Sequence, residues 1–372
     1  TRQQYWAGTI CVYAPSLAEI FKMMDKPLSD YQMTVENPKR MREDGSIPAS
    51  KVAVKFGKTT LKEGTNKDYT VEWPEVTAKG KYEITTSWGE KILKADPYAF
   101  FSDFRPKTDS KVYDLEGFEW HDEEWFKTKK KVYEQPLCVY EVHLGSWRRK
   151  DGEFMKANEI APQLVQYMHE QGFTHVEFLP VYEHPLDDSW GYMGTGYYSV
   201  SARFGVPKDF MYLVDEMHKN GFGVIMDWVP GHICRDDFGL YMFDGAPLYD
   251  YSDPKIRDNE VWGTANLDLG KGLTQSFLYS NAMFWLKYFH VDGFRVDAVS
   301  NIIYYLGNPA NGVNEGACDF LRGLSRNLFA YDDRVLLMAE DSSAHDGVTR
   351  PVDMGGLGFN YKWNMGWMND TL

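Results

Sequence analysis

Short apolar runs recur along the second part of the chain. Five of them stand out, at residues 138–144, 175–181, 223–229, 293–299 and 336–341. Runs of this length, without regular polar alternation, are typical of strands that are buried on both faces. A parallel sheet with helices packed against it buries its strands in this way.

The segments between these runs have the periodicity of amphipathic helices. In residues 209–220, apolar side chains recur at the spacing of one helix face, and Gly221 follows where a helix C-cap belongs. Residues 277–289 show a similar stripe. The alternation predicts an α/β fold, either an open doubly wound sheet or a (β/α)8 TIM-type barrel. Residues 143–147, after the first run, lack the GxGxxG turn of dinucleotide-binding sheets, which favours the barrel.

The amino-terminal part has a different pattern. β-forming residues cluster in segments 51–56 and 81–86, and Pro and Gly punctuate them. We predict a β-sandwich module over residues 1–105, a connecting segment over 106–135 and the barrel over 136–372. With a sixth strand expected near Gly358, the barrel is C-terminally incomplete, and we expect the chain to be part of a longer protein.

Composition and charge narrow the classes of partner. The net charge is −14 and the isoelectric point about 5.1, whereas nucleic-acid-binding domains are usually basic. The same charge disfavours anionic membrane surfaces, and no apolar run reaches the ~18 residues of a membrane span. We therefore expect neither a nucleic-acid nor a membrane partner. The four scattered cysteines form no C-x-x-C pair, which favours a reducing, cytoplasmic location.

Charged residues interrupt three of the apolar runs near their ends. Asp227 lies in the third run, Arg295 and Asp297 in the fourth, and Glu340 in the fifth. Because an unpaired buried charge is costly, such residues need a reason to be there. Barrel active sites lie at the C-terminal ends of the strands, where these residues fall. A set of salt bridges that merely holds the barrel top together is the alternative.

Carboxylates on neighbouring strands suit glycoside chemistry. In retaining enzymes one carboxylate attacks the anomeric carbon and the other protonates the leaving oxygen. Arg295 beside Asp297 would keep Asp297 ionised as a nucleophile, and the apolar neighbours of Glu340 favour a raised pKa for a general acid. Strand alternation sends Asp341 to the other face.

Two further features lie in loops beside these strands. The glycine-rich segment 190–198 presents aromatic residues, among which Tyr192 is a candidate sugar platform; a loop packed by its own rings is the alternative. His232 follows the third run at the barrel mouth. The histidines have no metal-ligand spacing and no H-E-x-x-H motif occurs, so these residues indicate no metal site.

Several motifs together resemble those of a known family. Residues 227–232 read DWVPGH, residues 292–299 read DGFRVDAV and residues 338–342 read MAEDS. These segments resemble the α-amylase superfamily, glycoside hydrolase family 13. The segments YEVHLGSW at residues 140–147 and GGLGFNYKWNMGWM at residues 355–368 resemble its 1,4-α-glucan branching enzymes.

The resemblance implies a glycosyltransferase of glycogen biosynthesis. It would cleave α-1,4-glucan chains onto Asp297, with Glu340 as acid/base, and re-attach them as α-1,6 branches. Tyr192, Asp227, His232 and Arg295 would hold the sugar next to the cut. The same resemblance implies that residues 1–105 are a degenerate glucan-binding-like module, and that neither a metal nor an organic cofactor is needed. An amylase-type or debranching hydrolase, or a non-catalytic glucan-binding protein, is the alternative. The partner in each case is an α-glucan such as glycogen, amylose or amylopectin-like chains.

Overall fold

The computed structural model describes residues 31–36, 51–56, 59–61 and 79–371, with side chains from residue 80 onward. The amino-terminal strands are β1 Tyr31–Glu36, β2 Lys51–Phe56, β3 Thr59–Leu61, β4 Lys79–Gly80, β5 Tyr82–Thr85, β6 Lys91–Lys94, β7 Phe101–Ser102 and β8 Ser110–Lys111. The later strands are β9 Val139–Val142, β10 Arg149–Lys150, β11 Glu153–Phe154, β12 His175–Phe178, β13 Tyr182–Glu183, β14 Gly196–Val200, β15 Gly223–Trp228, β16 His232–Cys234, β17 Asp258–Asn259, β18 Thr264–Asn266, β19 Gly293–Val296, β20 Leu336–Ala339 and β21 Tyr361–Lys362.

The helices connect and cover these strands. The α-helices of the described residues are α1 Glu123–Thr128, α2 Leu144–Trp147, α3 Ala157–Gln171, α4 Pro207–Lys219, α5 Pro254–Arg257, α6 Gly272–Tyr288, α7 Val299–Ile303, α8 Glu315–Tyr331 and α9 Met365–Thr371. In the same part of the chain, no helix is both long and apolar enough to cross a membrane.

The largest sheet consists of six parallel strands in the order β21-β20-β19-β15-β12-β9. Long helices lie between successive strands: α3 precedes β12, α4 precedes β15, α6 precedes β19 and α8 precedes β20. This is the strand–helix order of a (β/α)8 barrel wall. The five predicted strands and the sixth near Gly358 are confirmed, although each is shorter than the apolar run that predicted it.

The sheet separates two apolar clusters. Phe294 and Val296 of β19 lie in the main core, which the helices cover. Ile225, Leu336 and Met338 form a separate cluster with Val139 and Tyr361 packed against it. Because strand side chains alternate, these two clusters mark the outer and inner faces of the barrel wall.

Helix α4 shows how the sequence sets the bounds of an element. Pro207 occupies its first turn, and the Asp209 carboxylate accepts a 2.9 Å hydrogen bond from the backbone N–H of Val206. The helix ends before Gly221, which has φ +79°, a conformation that glycine adopts without strain. The predicted helix 209–220 is therefore confirmed with a start two residues earlier. The stripe at 277–289 lies in α6.

The amino-terminal strands form a five-stranded sheet of order β3-β2-β1-β5-β6. The segment 51–56 is a strand as predicted, and 81–86 contains β5. A second sheet, β13-β14-β7-β8-β4, joins this region to the loop after β12. Most of residues 1–78 lies outside the described part of the chain, so the sandwich arrangement and the boundaries at 105 and 135 stay predictions.

The connecting segment packs against the amino-terminal ends of the barrel strands. Trp125 donates a 2.8 Å hydrogen bond from Nε1 to Oδ1 of Asp292, the residue that precedes β19. The His218 ring bridges the carboxylates of Asp122 and Asp292 at 3.0 and 2.9 Å. Trp120 stacks on His290 with ring centroids 3.8 Å apart. This buried network links the segment to the barrel floor, opposite the predicted site.

Candidate active site

The predicted site residues lie at one edge of the barrel sheet. Asp227 lies near the end of β15 and Arg295 near the end of β19, and the two are register partners. Asp297 follows β19 directly, and Glu340 follows β20 directly. Both had been predicted within their strands. The shift places both carboxylates at the mouth, where the chain has left the sheet.

One guanidinium contacts three carboxylates. Arg295 donates from Nη1 to Oδ1 of Asp227 at 2.9 Å and to Oδ1 of Asp297 at 2.8 Å. Its Nη2 lies 3.2 Å from Oε2 of Glu340. The side chain of Asp227 is 1% exposed, that of Asp297 11% and that of Glu340 30%. Glu340 therefore stands nearest to solvent and Asp227 deepest in the site.

The surroundings of Asp297 and Glu340 affect their pKa values differently. Burial raises the pKa of both Asp297 and Glu340, and Arg295 opposes this effect in each case. The two groups are also close enough to share a hydrogen bond, which raises the pKa of Glu340 and lowers that of Asp297. The direction of this last effect favours a proton on Glu340 and a negative charge on Asp297.

Tyr192 and His232 complete the cluster around Asp227. The Tyr192 hydroxyl donates a 2.6 Å hydrogen bond to Oδ2 of Asp227. The Nε2–H of His232 donates to the backbone carbonyl of Tyr192 at 3.1 Å. Burial lowers the pKa of His232 to about 4, so its imidazole is neutral near pH 7. The carbonyl contact leaves Nδ1 as an acceptor.

The loop that carries Tyr192 requires a glycine. Gly191 has φ +96°, and a Cβ at this position would lie 2.2 Å from the carbonyl oxygen of Pro180. No larger side chain fits this approach without a backbone shift. The close packing on Pro180 positions Tyr192 over the site. Its ring also packs against the main core.

Three further residues contribute to the site and were not predicted from the sequence. The guanidinium carbon of Arg295 lies over the Trp363 ring, 4.7 Å from the centroid of that ring. The backbone N–H of Ala298 donates to Oε2 of Glu340 at 2.7 Å. Glu177 of β12 is 3% exposed, and its Oε1 has no partner among the described residues. Glu177 is a charge inside an apolar run, so the criterion that selected Asp227 applies to it as well.

Other predicted features lie outside the cluster. Asp341 is 1% exposed and pairs with Nζ of Lys362 at 2.7 Å, away from the Arg295 contacts. Among the described residues, no group of three His, Cys, Asp or Glu side chains is arranged to hold a metal ion. The expectation of no metal and no cofactor stays a prediction.

Comparison with known proteins shows which proteins this chain resembles. Residues 159–264 match the α-amylase catalytic domain. Over 295 residues, 78% of this chain, the sequence is 59% identical to the 1,4-alpha-glucan branching enzyme GlgB of Bacillus caldolyticus. It is 56% identical to the protein of the same name from Geobacillus stearothermophilus, again over 78% of this chain. Over this matched part the chain resembles the 1,4-α-glucan branching enzyme family.

The predicted resemblance to this family is thus confirmed. The chain spans about half the length of the curated relatives it matches, 44% of the first and 46% of the second. A crystal structure of an α-amylase candidate from Salmonella typhimurium superposes with a TM-score of 0.61 at 23% identity. That alignment covers 84% of this chain and 50% of the other. It supports the barrel fold of the branching enzyme family independently of the sequence match.

Proposed function

We propose that the protein transfers segments of α-1,4-glucan chains to 6-hydroxyl groups, creating α-1,6 branches, with Asp297 as nucleophile and Glu340 as general acid/base. The observation that carries the proposal is the contact of both carboxyl groups with the single guanidinium of Arg295. Retaining glycosidases need two carboxyl groups about 5–5.5 Å apart at the scissile bond. The contact of both groups with one guanidinium supports such a close approach.

In the first step the glycosidic bond is exchanged for an ester. The proton of Glu340 passes to the glycosidic oxygen while a carboxylate oxygen of Asp297 attacks the anomeric carbon. The carbon–oxygen bond breaks, its electron pair stays with the oxygen, and the leaving chain departs with a free 4-hydroxyl. The donor segment remains on Asp297 with inverted configuration.

In the second step the ester is exchanged for a branch. Glu340, now a carboxylate, removes the proton from the 6-hydroxyl of an acceptor chain. That oxygen attacks the anomeric carbon and displaces Asp297, which recovers its charge. Two inversions give net retention of the α configuration.

The remaining predicted residues hold the sugar whose bond is cut. Asp227 and the Nδ1 acceptor of His232 offer acceptors for sugar hydroxyls, and Tyr192 offers a ring face. Arg295 lies against the carboxylates and opposes the burial that raises their pKa values. An ionised Asp297 is a better nucleophile, so the same contact that organises the site also activates it.

The proposal also includes the domain organisation, the partner and the location of the protein. We place a β-sandwich, glucan-binding-like module in residues 1–105 and a connecting segment in 106–135. Residues 136–372 would supply the first six strands of the catalytic (β/α)8 barrel. The partner is an α-glucan, and the location is the cytoplasm. The net charge of −14 supports a neutral substrate rather than nucleic acid or an anionic membrane.

Product analysis tests the proposal. The protein is incubated with amylose, α-1,6 linkages are measured from their anomeric protons by NMR, and reducing ends are measured in parallel. We expect new α-1,6 linkages without an equivalent rise in reducing ends. The Asp297→Asn variant should form no new α-1,6 linkages. A rise in reducing ends alone would indicate a hydrolase. Retained amylose binding without either product would indicate a non-catalytic glucan-binding protein.

A further inference from the structure

We infer that Trp363 is a positioning residue of this site: its ring holds the Arg295 guanidinium in the orientation that serves both catalytic carboxyl groups. The assignment rests on the proposed function, since it concerns the same reaction. It gives a role to a residue of the segment 355–368 that the sequence analysis used only as a family motif.

The first support is the contact itself. The guanidinium carbon of Arg295 lies 4.7 Å from the centroid of Trp363, and 5.9 Å from that of Tyr192. Trp is the aromatic residue that attracts cations most strongly. The Arg295 side chain is only 5% exposed, so the attraction acts with little screening by water.

The second support is how firmly the backbone holds Trp363 beside the acid/base residue. The Trp363 N–H donates a 3.0 Å hydrogen bond to the carbonyl of Ala339, the residue before Glu340. The preceding Lys362 binds Oδ2 of Asp341 at 2.7 Å and the carbonyl of Ser343 at 2.8 Å. The end of β21 is therefore fastened to the segment that carries Glu340.

The third support is the arrangement of donors on Arg295. Nη1 contacts Asp227 and Asp297, whereas Nη2 faces Glu340. A rotation of the guanidinium plane would weaken the contacts with the three carboxylates unequally. An aromatic ring against that plane opposes such a rotation, because a guanidinium group stacks favourably on an aromatic face.

Four variants separate this role from ordinary packing. Trp363→Ala removes the ring, Trp363→Leu keeps apolar volume without a π face, and Trp363→Phe keeps a π face. Trp367→Ala is the matched control, since Trp367 lies four residues later on α9 with 66% of its surface exposed. Each protein is assayed for the initial rate of α-1,6 linkage formation on amylose, kcat and KM are separated, and thermal unfolding is recorded.

A positioning role predicts that kcat falls about tenfold in Trp363→Ala and Trp363→Leu, the order expected for a desolvated cation–π contact. Trp363→Phe should recover most of the loss, KM should change much less than kcat, and Trp367→Ala should match the wild type. Equal rates for Trp363→Leu and Trp363→Phe, in folded proteins, would overturn the inference and leave the proposed function intact. A wild-type protein without branching activity would overturn the proposed function and this inference with it.

Discussion

The backbone N–H of Ala298 donates a 2.7 Å hydrogen bond to Oε2 of Glu340. Ala298 directly follows Asp297, the proposed nucleophile, and has φ +48°, a left-handed conformation that costs a non-glycine residue about 1–2 kcal/mol. The same Oε2 faces Nη2 of Arg295 at 3.2 Å. Because both donors are directed at Oε2, a proton on Glu340 belongs on Oε1. The left-handed backbone of Ala298 thus directs its N–H at Glu340, the proposed acid/base residue.

The strain at Ala298 predicts opposite effects for two substitutions. Ala298→Gly should keep the N–H contact and raise the free energy of unfolding by up to about 1 kcal/mol, because glycine adopts positive φ freely. Ala298→Val should lower it, because a β-branched residue is least tolerated in this conformation. Urea unfolding of both variants measures the difference. Equal stabilities would show that the strain is absent in solution.

Arg295→Ala should destabilise the protein more than most single changes. Asp227 and Asp297 would remain buried without their shared cation, and removing one partner of a buried ion pair costs about 3–5 kcal/mol. Without Arg295, burial would raise the folded pKa of both acids further above the unfolded values. The destabilisation should therefore be smallest below the unfolded pKa of Asp, about 3.9, and grow as pH rises through the folded values. Denaturant unfolding at several pH values checks this, and a penalty independent of pH would contradict it.

Replacing the buried Glu177 by a neutral residue should stabilise the folded protein. Burial raises its pKa to about 7, despite the opposing effect of Arg295. The unfolded chain loses this proton near pH 4.5 and the folded chain only near 7, so stability falls between those values. Glu177→Gln removes the loss and should be more stable above pH 7 by up to about 3 kcal/mol.

The matched control for Glu177 is its register partner on β9. Glu141 lies directly opposite Glu177 in the sheet but is exposed, so Glu141→Gln should leave stability nearly unchanged. Unfolding of both variants at pH 5 and pH 8 provides the comparison. The account of Glu177 would be wrong if Glu177→Gln gained no more at pH 8 than at pH 5.

On the barrel floor, the raised pKa of His218 predicts that stability falls as pH rises, as it does for Glu177. Burial lowers its pKa, but the carboxylates of Asp292 and Asp122 outweigh this and raise it overall. A raised folded pKa contributes stability that is complete below the unfolded value, about 6.5, and is lost as pH rises through the folded value. His218→Gln should therefore cost most at pH 5–6 and progressively less at higher pH.

The measurement for His218 is chemical unfolding of the wild type and His218→Gln between pH 5 and 9. His290 also contacts Asp122, at 2.8 Å, and is more exposed than His218. His290→Gln therefore serves as the comparison and should have a smaller effect. A cost of His218→Gln that increases with pH would contradict a protonated His218 between the two carboxylates.

Local patterns sufficed for much of the barrel. The apolar runs located β12, β15, β19 and β20, because strands buried on both faces leave a continuous signal. The end of each strand was less certain: Asp297 and Glu340 lie just beyond their strands because the backbone turns there to form other bonds, such as that from Val299 N–H to the Glu340 carbonyl.

The contacts that the sequence could not predict are those between distant segments. Nothing local indicates that Trp363 lies over Arg295, since the contact depends on where the sixth strand joins the sheet. Asp292 was read only as part of a family motif, although it anchors Trp125 and His218 at the barrel floor. Hydrophobic periodicity indicates which face of a helix or strand is buried. The partners of a polar side chain depend on the tertiary fold.

Trapping of the glycosyl-enzyme would identify the nucleophile. Glu340→Gln is incubated with an α-maltosyl fluoride, whose leaving group needs no proton, and the digested protein is analysed by mass spectrometry. We expect a maltosyl adduct on the peptide that contains Asp297. Asp297 can still attack the anomeric carbon, but removal of the maltosyl group lacks the base that Glu340 would supply. The adduct should be missing when Asp297→Asn is added to the same protein. An adduct on another residue, or release of a β-configured product without any adduct, would contradict the double displacement at Asp297.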